Sequence, residues 1–263
     1  MKIRHLVHSC LLVEVAGRRL MIDPGGFSTE GVRSLGADVL GAIDVVAITH
    51  QHPDHVDPEL LTEILRASPG AVVIAEPETA EMLAGNDSDV GNDSDGGDDS
   101  AGDDVSDGDS APVVTRDRLL PLPAGSSHEF PAVDGHEPLR IAAVGGRHAI
   151  IHPDIPRVGN SGLVISAGGG QRVGVTDDSL EPVQEFHGID ALAFAVVAPW
   201  SKMSETIDFL RAVRPRLALP VHDAVASEQG RAIYMRQSTQ LAPEGTEVRD
   251  WPEPERVVEL GSR

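Results

Sequence analysis

The chain has 263 residues, 40% of them hydrophobic but only 3% aromatic, so its core is built from Val, Leu, Ile and Ala and offers little for stacking nucleobases or sugar rings. Its 42 Asp and Glu against 21 Lys and Arg give a formal net charge of −21, which argues against nucleic acid as a partner. The single cysteine, Cys10, excludes an intrachain disulfide and a thiolate zinc site.

In chain order, Ile3 to Val7, Cys10 to Val15 and Arg18 to Ile22 read as strands, the last two joined by a turn at Ala16-Gly17. Asp23-Pro24-Gly25-Gly26 breaks the pattern, and a short helix is expected over Thr29 to Leu35. Asp44 to Thr49 is a nearly all-apolar run of strand length, the mark of a strand covered on both faces. A helix is predicted over Pro58 to Ala67, with Asp57 as cap and Leu60, Leu61, Ile64 and Leu65 on one face. A strand at Ala71 to Ala75 and a helix at Pro77 to Leu83 follow.

Residues 86–110 carry ten Asp and no Lys or Arg, so about half of the net charge is local. With almost no apolar content the segment, about 85–111, reads as a disordered insertion within a single domain spanning 1–263. No Glu closes an EF-hand pattern there. Further strands are expected at Val113 to Thr115, Arg140 to Val144, Leu163 to Ser166, Arg172 to Thr176, Ala191 to Val197 and Arg216 to Leu219. A helix over Ser201 to Val213 would be capped by Ser201 or Ser204, and Val225 to Tyr234 shows a modest apolar face that fits core or interface equally well. Hairpins lead each half and βα units follow, which predicts an α/β fold: a four-layer αβ/βα sandwich of two mixed β-sheets with helices on the outer faces. No signal peptide and no apolar run of roughly 18 residues is seen, so a cytoplasmic protein without a membrane segment is expected.

The chemistry concentrates at His50-x-His52-x-Asp54-His55, directly after a buried strand. Alternate residues of an extended segment point the same way, so His50 and His52 can face one metal. Pro53 then turns the chain and lets Asp54 and His55 face the other side of the cluster. Imidazole and carboxylate donors suit Zn²⁺. Four residues do not complete two sites, and ligand-type side chains recur at strand ends: His148, Asp177 or Asp178, and His222. His8, at the end of the first strand, is a candidate for a supporting or substrate-facing role, and His152, four residues beyond His148, for lining the pocket. Asp23 is expected to support an imidazole or to fix its turn. Trp200 fits a pocket wall or the core.

With Thr49 ahead of these histidines and Val7-His8-Ser9-Cys10-Leu11-Leu12-Val13-Glu14 and Leu20-Met21-Ile22-Asp23-Pro24 at the start, the chain resembles the metallo-β-lactamase superfamily. It is most similar to the small-hydrolase branch related to ascorbate-6-phosphate lactonases, nearly end to end apart from the Asp tract. The resemblance implies a first metal on His50, His52 and His148, a second on Asp54, His55 and His222, and Asp178 bridging both. The family's Gly-Asp-Ser/Thr stands here as Asp177-Asp178-Ser179, and Asp178 is the bridging choice because it keeps the serine in register.

The expectation is a hydrolase with two divalent ions, Zn²⁺ by preference with Mn²⁺ or Fe²⁺ as alternatives. It would cleave an ester, lactone or phosphoester in a small, anionic metabolite, with Asp54, His8 and His152 as catalytic candidates. Competing readings are a nuclease or phosphodiesterase of the same fold, with Arg140, Arg147 and Arg157 as its basic patch, a non-catalytic metal-binding protein, and a di-iron redox enzyme. Oligomeric state is not legible.

Overall fold

Strands whose two faces are both apolar need cover on both sides, and Leu11-Leu12-Val13 and Val45-Val46-Ala47 have that character. In the computed structural model, which describes residues 1–85 and 113–261, they receive it from two stacked sheets and flanking helices. The first sheet has the order β14 (Val257–Glu259), β1 (Lys2–Val7), β2 (Cys10–Val15), β3 (Arg18–Ile22), β4 (Val45–Ile48), β5 (Val72–Ala75) and β6 (Leu119–Pro121). The second runs β13 (Glu247–Val248), β12 (Leu217–Val221), β11 (Ala191–Ala195), β10 (Arg172–Val175), β9 (Gly159–Ala167), β8 (Leu139–Arg147) and β7 (Ser127–Phe130).

Each sheet is antiparallel along one half and parallel along the other. Between them lies a core in which Leu11, Val13, Leu20, Ile22, Val45 and Ala47 meet residues such as Ile141, Ile165, Val175, Ala193 and Leu219. The alternate residues Leu12, Met21, Val46 and Ile48 turn outward onto Leu60, Leu61 and Ile64 of α3 (Pro58–Ala67), which follows the short α1 (Thr29–Arg33) and α2 (Ala37–Leu40), and onto Leu83 of α4 (Pro77–Ala84). On the other side Leu192, Phe194 and Ala218 pack on Phe209, Leu210 and Val213 of α5 (Met203–Val213) and Met235 of α6 (Glu228–Leu241). The expected four-layer arrangement is thus the observed one, its layers set by period-two alternation.

Several boundaries differ from the sequence reading. Val113 to Thr115 is not a strand. The N–H groups of Val113 and Val114 donate to Leu83 O, and the next sheet strand is β6. β8 continues through Gly145 and Gly146, which look like breakers but pair with Ser161 and Asn160, so the strand delivers His148 directly. The cap of α5 is Lys202, not Ser201 or Ser204, and the Glu205 carboxylate accepts from its N–H at 2.9 Å. α6, β7 and β14 were not anticipated, and the helix after Thr29 ends at Arg33. The expectation for the Asp-rich segment falls on residues outside those described. No helix among the described residues is long and apolar enough to cross a membrane.

Candidate metal centre

The parallel strands end on one rim of the sandwich, and the chemistry-bearing residues sit there. Asp23 follows β3, the histidine cluster follows β4, Asp177 and Asp178 follow β10, and His222 follows β12. His8 lies in the β1–β2 turn, and His148 follows β8. His8, Asp23, Asp177 and His222 all hold φ between 46° and 60°, the left-handed region that non-glycine residues avoid. Such strain persists where the surrounding structure over-determines it, and here it aims side chains at a common point. Gly25 is obligatory for another reason. A Cβ there would lie 1.9 Å from Asp54 O, so the Asp23-Pro24-Gly25-Gly26 turn packs directly on the histidine loop.

Among the described residues donor atoms converge in three overlapping groups, one of them His50, His55, Asp177 and Asp178, and Asp178 also lies against the other two. His50, His52, His148 and Asp178 form another, with His148 Nε2 at 3.1 Å and His50 Nε2 at 3.9 Å from Asp178 Oδ2. His55 Nε2 and His222 Nε2 approach the other oxygen, Oδ1, at 3.3 and 3.2 Å, and both lie 3.7 Å from Asp54 Oδ2. Asp178 therefore spans both of these groups.

The ring tautomers follow from the partners. His50 Nδ1 meets Asp177 Oδ2 at 2.8 Å, His55 Nδ1 meets Asp23 Oδ2 at 3.1 Å, His148 Nδ1 meets Ala149 O at 2.6 Å, and His222 Nδ1 meets Val197 O at 2.9 Å. All four partners are pure acceptors, so each Nδ1 carries a hydrogen and each Nε2 faces inward, where it can present its lone pair to a cation once any proton on it is displaced. His55 Nε2, His222 Nε2 and Asp178 Oδ1 are buried without a hydrogen-bond partner. Buried polar atoms left without partners are costly, and imidazole lone pairs beside a carboxylate are the donor set of a divalent cation. The residues present fit a metal.

His8 is arranged differently. Its Nδ1 accepts from Ala224 N–H at 3.2 Å, so its Nε2 bears the hydrogen and donates to Asp54 Oδ2, also at 3.2 Å. It steers Asp54. Burial works to raise the Asp54 carboxyl, yet the His8 hydrogen bond and the nearby His55 and His222 imidazoles hold it below the ordinary range. Burial and the neighbouring Asp177 push Asp23 up to about 6. Burial, then His50 and His148, lower His52 to about 4, leaving it neutral and available as a donor at physiological pH.

Asp177 and Asp178 separate into distinct tasks. Asp177 stands outside the donor ring on the Nδ1 side, bonded to His50 and with Oδ1 2.8 Å from His55 Nδ1. At φ 54° a glycine would be the unstrained choice, so the carboxylate is present at a conformational cost. Its removal has a readable consequence. Asp177→Gly is expected to relax the backbone but weaken metal affinity about 10- to 100-fold, the usual loss for an outer partner of a ligating imidazole, with Asp177→Asn losing less. Competition with a chromophoric chelator reads this, and unchanged affinity in Asp177→Gly would show that Asp177 does not orient the rings.

His152 is not brought to the cluster. Its side chain is 61% exposed, and its Nδ1 accepts from Asp154 N–H. Trp200 joins the site instead, its Nε1–H donating to Asp178 Oδ2 at 2.8 Å. Asp23 also accepts from Thr49 N–H and Oγ1–H, which ties the β3 end to the start of the histidine loop. Phe27, which the sequence reading passed over, sets its ring edge-on to His8 with centroids 5.0 Å apart.

Comparison with known proteins agrees with this architecture. The sequence model of the β-lactamase superfamily domain matches residues 2–222. Protein Rv0786c of Mycobacterium tuberculosis (strain ATCC 25618 / H37Rv) is 34% identical over 244 residues, covering 92% of each chain. The metallo hydrolase Igni18 of the hyperthermophilic archaeon Ignicoccus hospitalis superposes with a TM-score of 0.61 at 19% identity, covering 98% of this chain and 97% of that one. CmlA, a diiron β-hydroxylase from Streptomyces venezuelae, gives a TM-score of 0.57 at 12% identity, covering 98% of this chain and 54% of its own. By sequence and by fold, the chain belongs to the metallo-β-lactamase superfamily.

Proposed function

We propose that this protein is a metal-dependent hydrolase that holds two divalent ions, zinc in preference to manganese or iron, and cleaves an ester, lactone or phosphoester bond in a small molecule. The observation that carries the reading is the Asp178 carboxylate. One oxygen faces the His148 and His50 imidazoles and the other faces His55 and His222. His50, His52 and His148 would hold one ion, and Asp54, His55 and His222 the other. Ions bound there lower the pKa of water and polarise a carbonyl or phosphoryl oxygen.

The chain's own residues supply direction. Asp54 and His52 are the half-buried members of the cluster, so substrate approaches on their side. His8 keeps Asp54 ionised and fixed, and holds a proton one hydrogen bond from it. The sandwich below the rim is filled by Leu, Val and Ile, which closes the donors off from that side. The acidic balance of the chain favours a small molecule over nucleic acid as substrate.

Metal analysis by inductively coupled plasma mass spectrometry, paired with a panel of esters, lactones and phosphodiesters, tests the reading. About two equivalents per chain and turnover lost on chelation and restored by metal are expected. One equivalent or fewer, not raised by added metal, would overturn the two-ion site. Two equivalents of iron with oxygen-dependent chemistry and no hydrolysis would favour the kind of centre named for CmlA.

A further inference from the structure

We infer that the substrate presents an apolar aliphatic or aryl group beside the scissile bond, received by a rim of exposed hydrophobic side chains around the metal centre. The inference rests on the hydrolase reading and names the substrate class for it. It departs from the anionic metabolite that the sequence resemblance implies.

Isolated exposed hydrophobics are ordinary on a protein surface, so their placement decides the matter. Phe27, Ile150, Ile151, Ile155 and Val225 are each 38% to 58% exposed, and all five lie on loops tied to ligand positions. Phe27 follows the Asp23 turn and packs on His8. Ile150, Ile151 and Ile155 lie in the connection from β8 to β9 that begins at His148. That connection is pinned by Ala149 N–H donating to Asp178 O and by Arg157 Nε donating to His148 O, both at 2.8 Å. Val225 comes three residues after His222 and directly after Ala224, whose N–H bonds His8. Trp200 adds a half-buried indole with centroids 6.0 Å from both His148 and His222.

The cations flanking this loop are engaged elsewhere. Arg147 Nη1 lies 3.8 Å from Glu78 Oε1 and donates to Arg157 O, while Arg157 itself serves the backbone of His148. The loops that position the donors thus offer hydrocarbon to whatever the donors hold. Anchored loops keep that hydrocarbon exposed in the free protein, where covering it with an apolar substituent releases its hydration.

The test uses the full chain loaded with zinc and a series of straight-chain alkyl hydroxamates from acetyl to octanoyl, titrated by isothermal calorimetry. The hydroxamate head is common to all, so only the alkyl tail varies. Affinity is expected to rise with each methylene, by at most about fourfold for one fully buried, and by at least about tenfold across the series. The triple variant Ile150→Ser, Ile151→Ser, Ile155→Ser alters exposed positions only. It should bind acetohydroxamate as the parent does and lose most of the chain-length gain. A flat series in the parent, a gain untouched by the triple variant, or no binding by any member would each overturn the inference. Chain-length-dependent binding without turnover of the matching p-nitrophenyl esters would leave the rim standing and sink the hydrolase reading instead.

Discussion

Asp178→Ala is expected to reduce hydrolytic turnover by at least about a thousandfold and to leave purified protein with less than one equivalent of metal. An ordinary ligand serves one ion, whereas Asp178 faces four imidazoles and one indole N–H through two oxygens. Its loss removes a donor from each group at once, and also the negative charge that offsets two cations in a buried site. Asp178→Asn separates those contributions, because the amide keeps one oxygen and the shape but not the charge. It should retain part of the metal and little activity. Metal analysis and steady-state kinetics on both variants, with circular dichroism to establish that they fold, check the prediction. Full metal occupancy in Asp178→Ala would show that the two groups do not share it.

The parts of this site that were legible in the sequence are those encoded by short spacing. His50, His52, Asp54 and His55 fall within six residues after an apolar strand, and the turn that separates their directions is local. His148 and His222 were legible because each follows a recognisable strand. What sequence could not show depends on distant contacts. Asp177 meets His50 across 127 residues, a contact with no local signal, whereas the choice of Asp178 as the bridging carboxylate rests on the register of Ser179 in the family pattern. His152 stands outside the donor groups for a related reason. A spacing of four from His148 brings side chains together on a helix, but 148–158 is an irregular connection in which the His152 side chain is exposed. The four layers are readable from the succession of hairpins and βα units, whereas β14 is not, since a three-residue strand owes its existence to pairing with β1 at the other end of the chain.

Removing the metals should lower the thermal midpoint by on the order of 10 °C per ion, for protein held at free zinc near a thousand times Kd. Binding confined to the native state then contributes about 4 kcal/mol per site, and a domain of this size moves roughly 2–4 °C per kcal/mol. The chelated protein is still expected to fold, because protons stand in for the ions. Burial acts to lower His55, but Asp177 and Asp178 raise it well above its usual value. Burial is likewise outweighed at His148 and at His222 by the Asp178 carboxylate. Raised histidines stabilise the chelated fold fully below their unfolded pKa of about 6.5, and that contribution fades as pH climbs through the folded values. Metal binding runs the opposite way, since each ion must displace those protons and gains affinity as pH rises. At one fixed free zinc concentration, the gap between zinc-loaded and chelated midpoints should therefore widen from pH 6 to pH 9. Scanning calorimetry with and without chelator across that range reads it. A gap independent of pH would mean that His55, His148 and His222 are not the groups that exchange protons for metal.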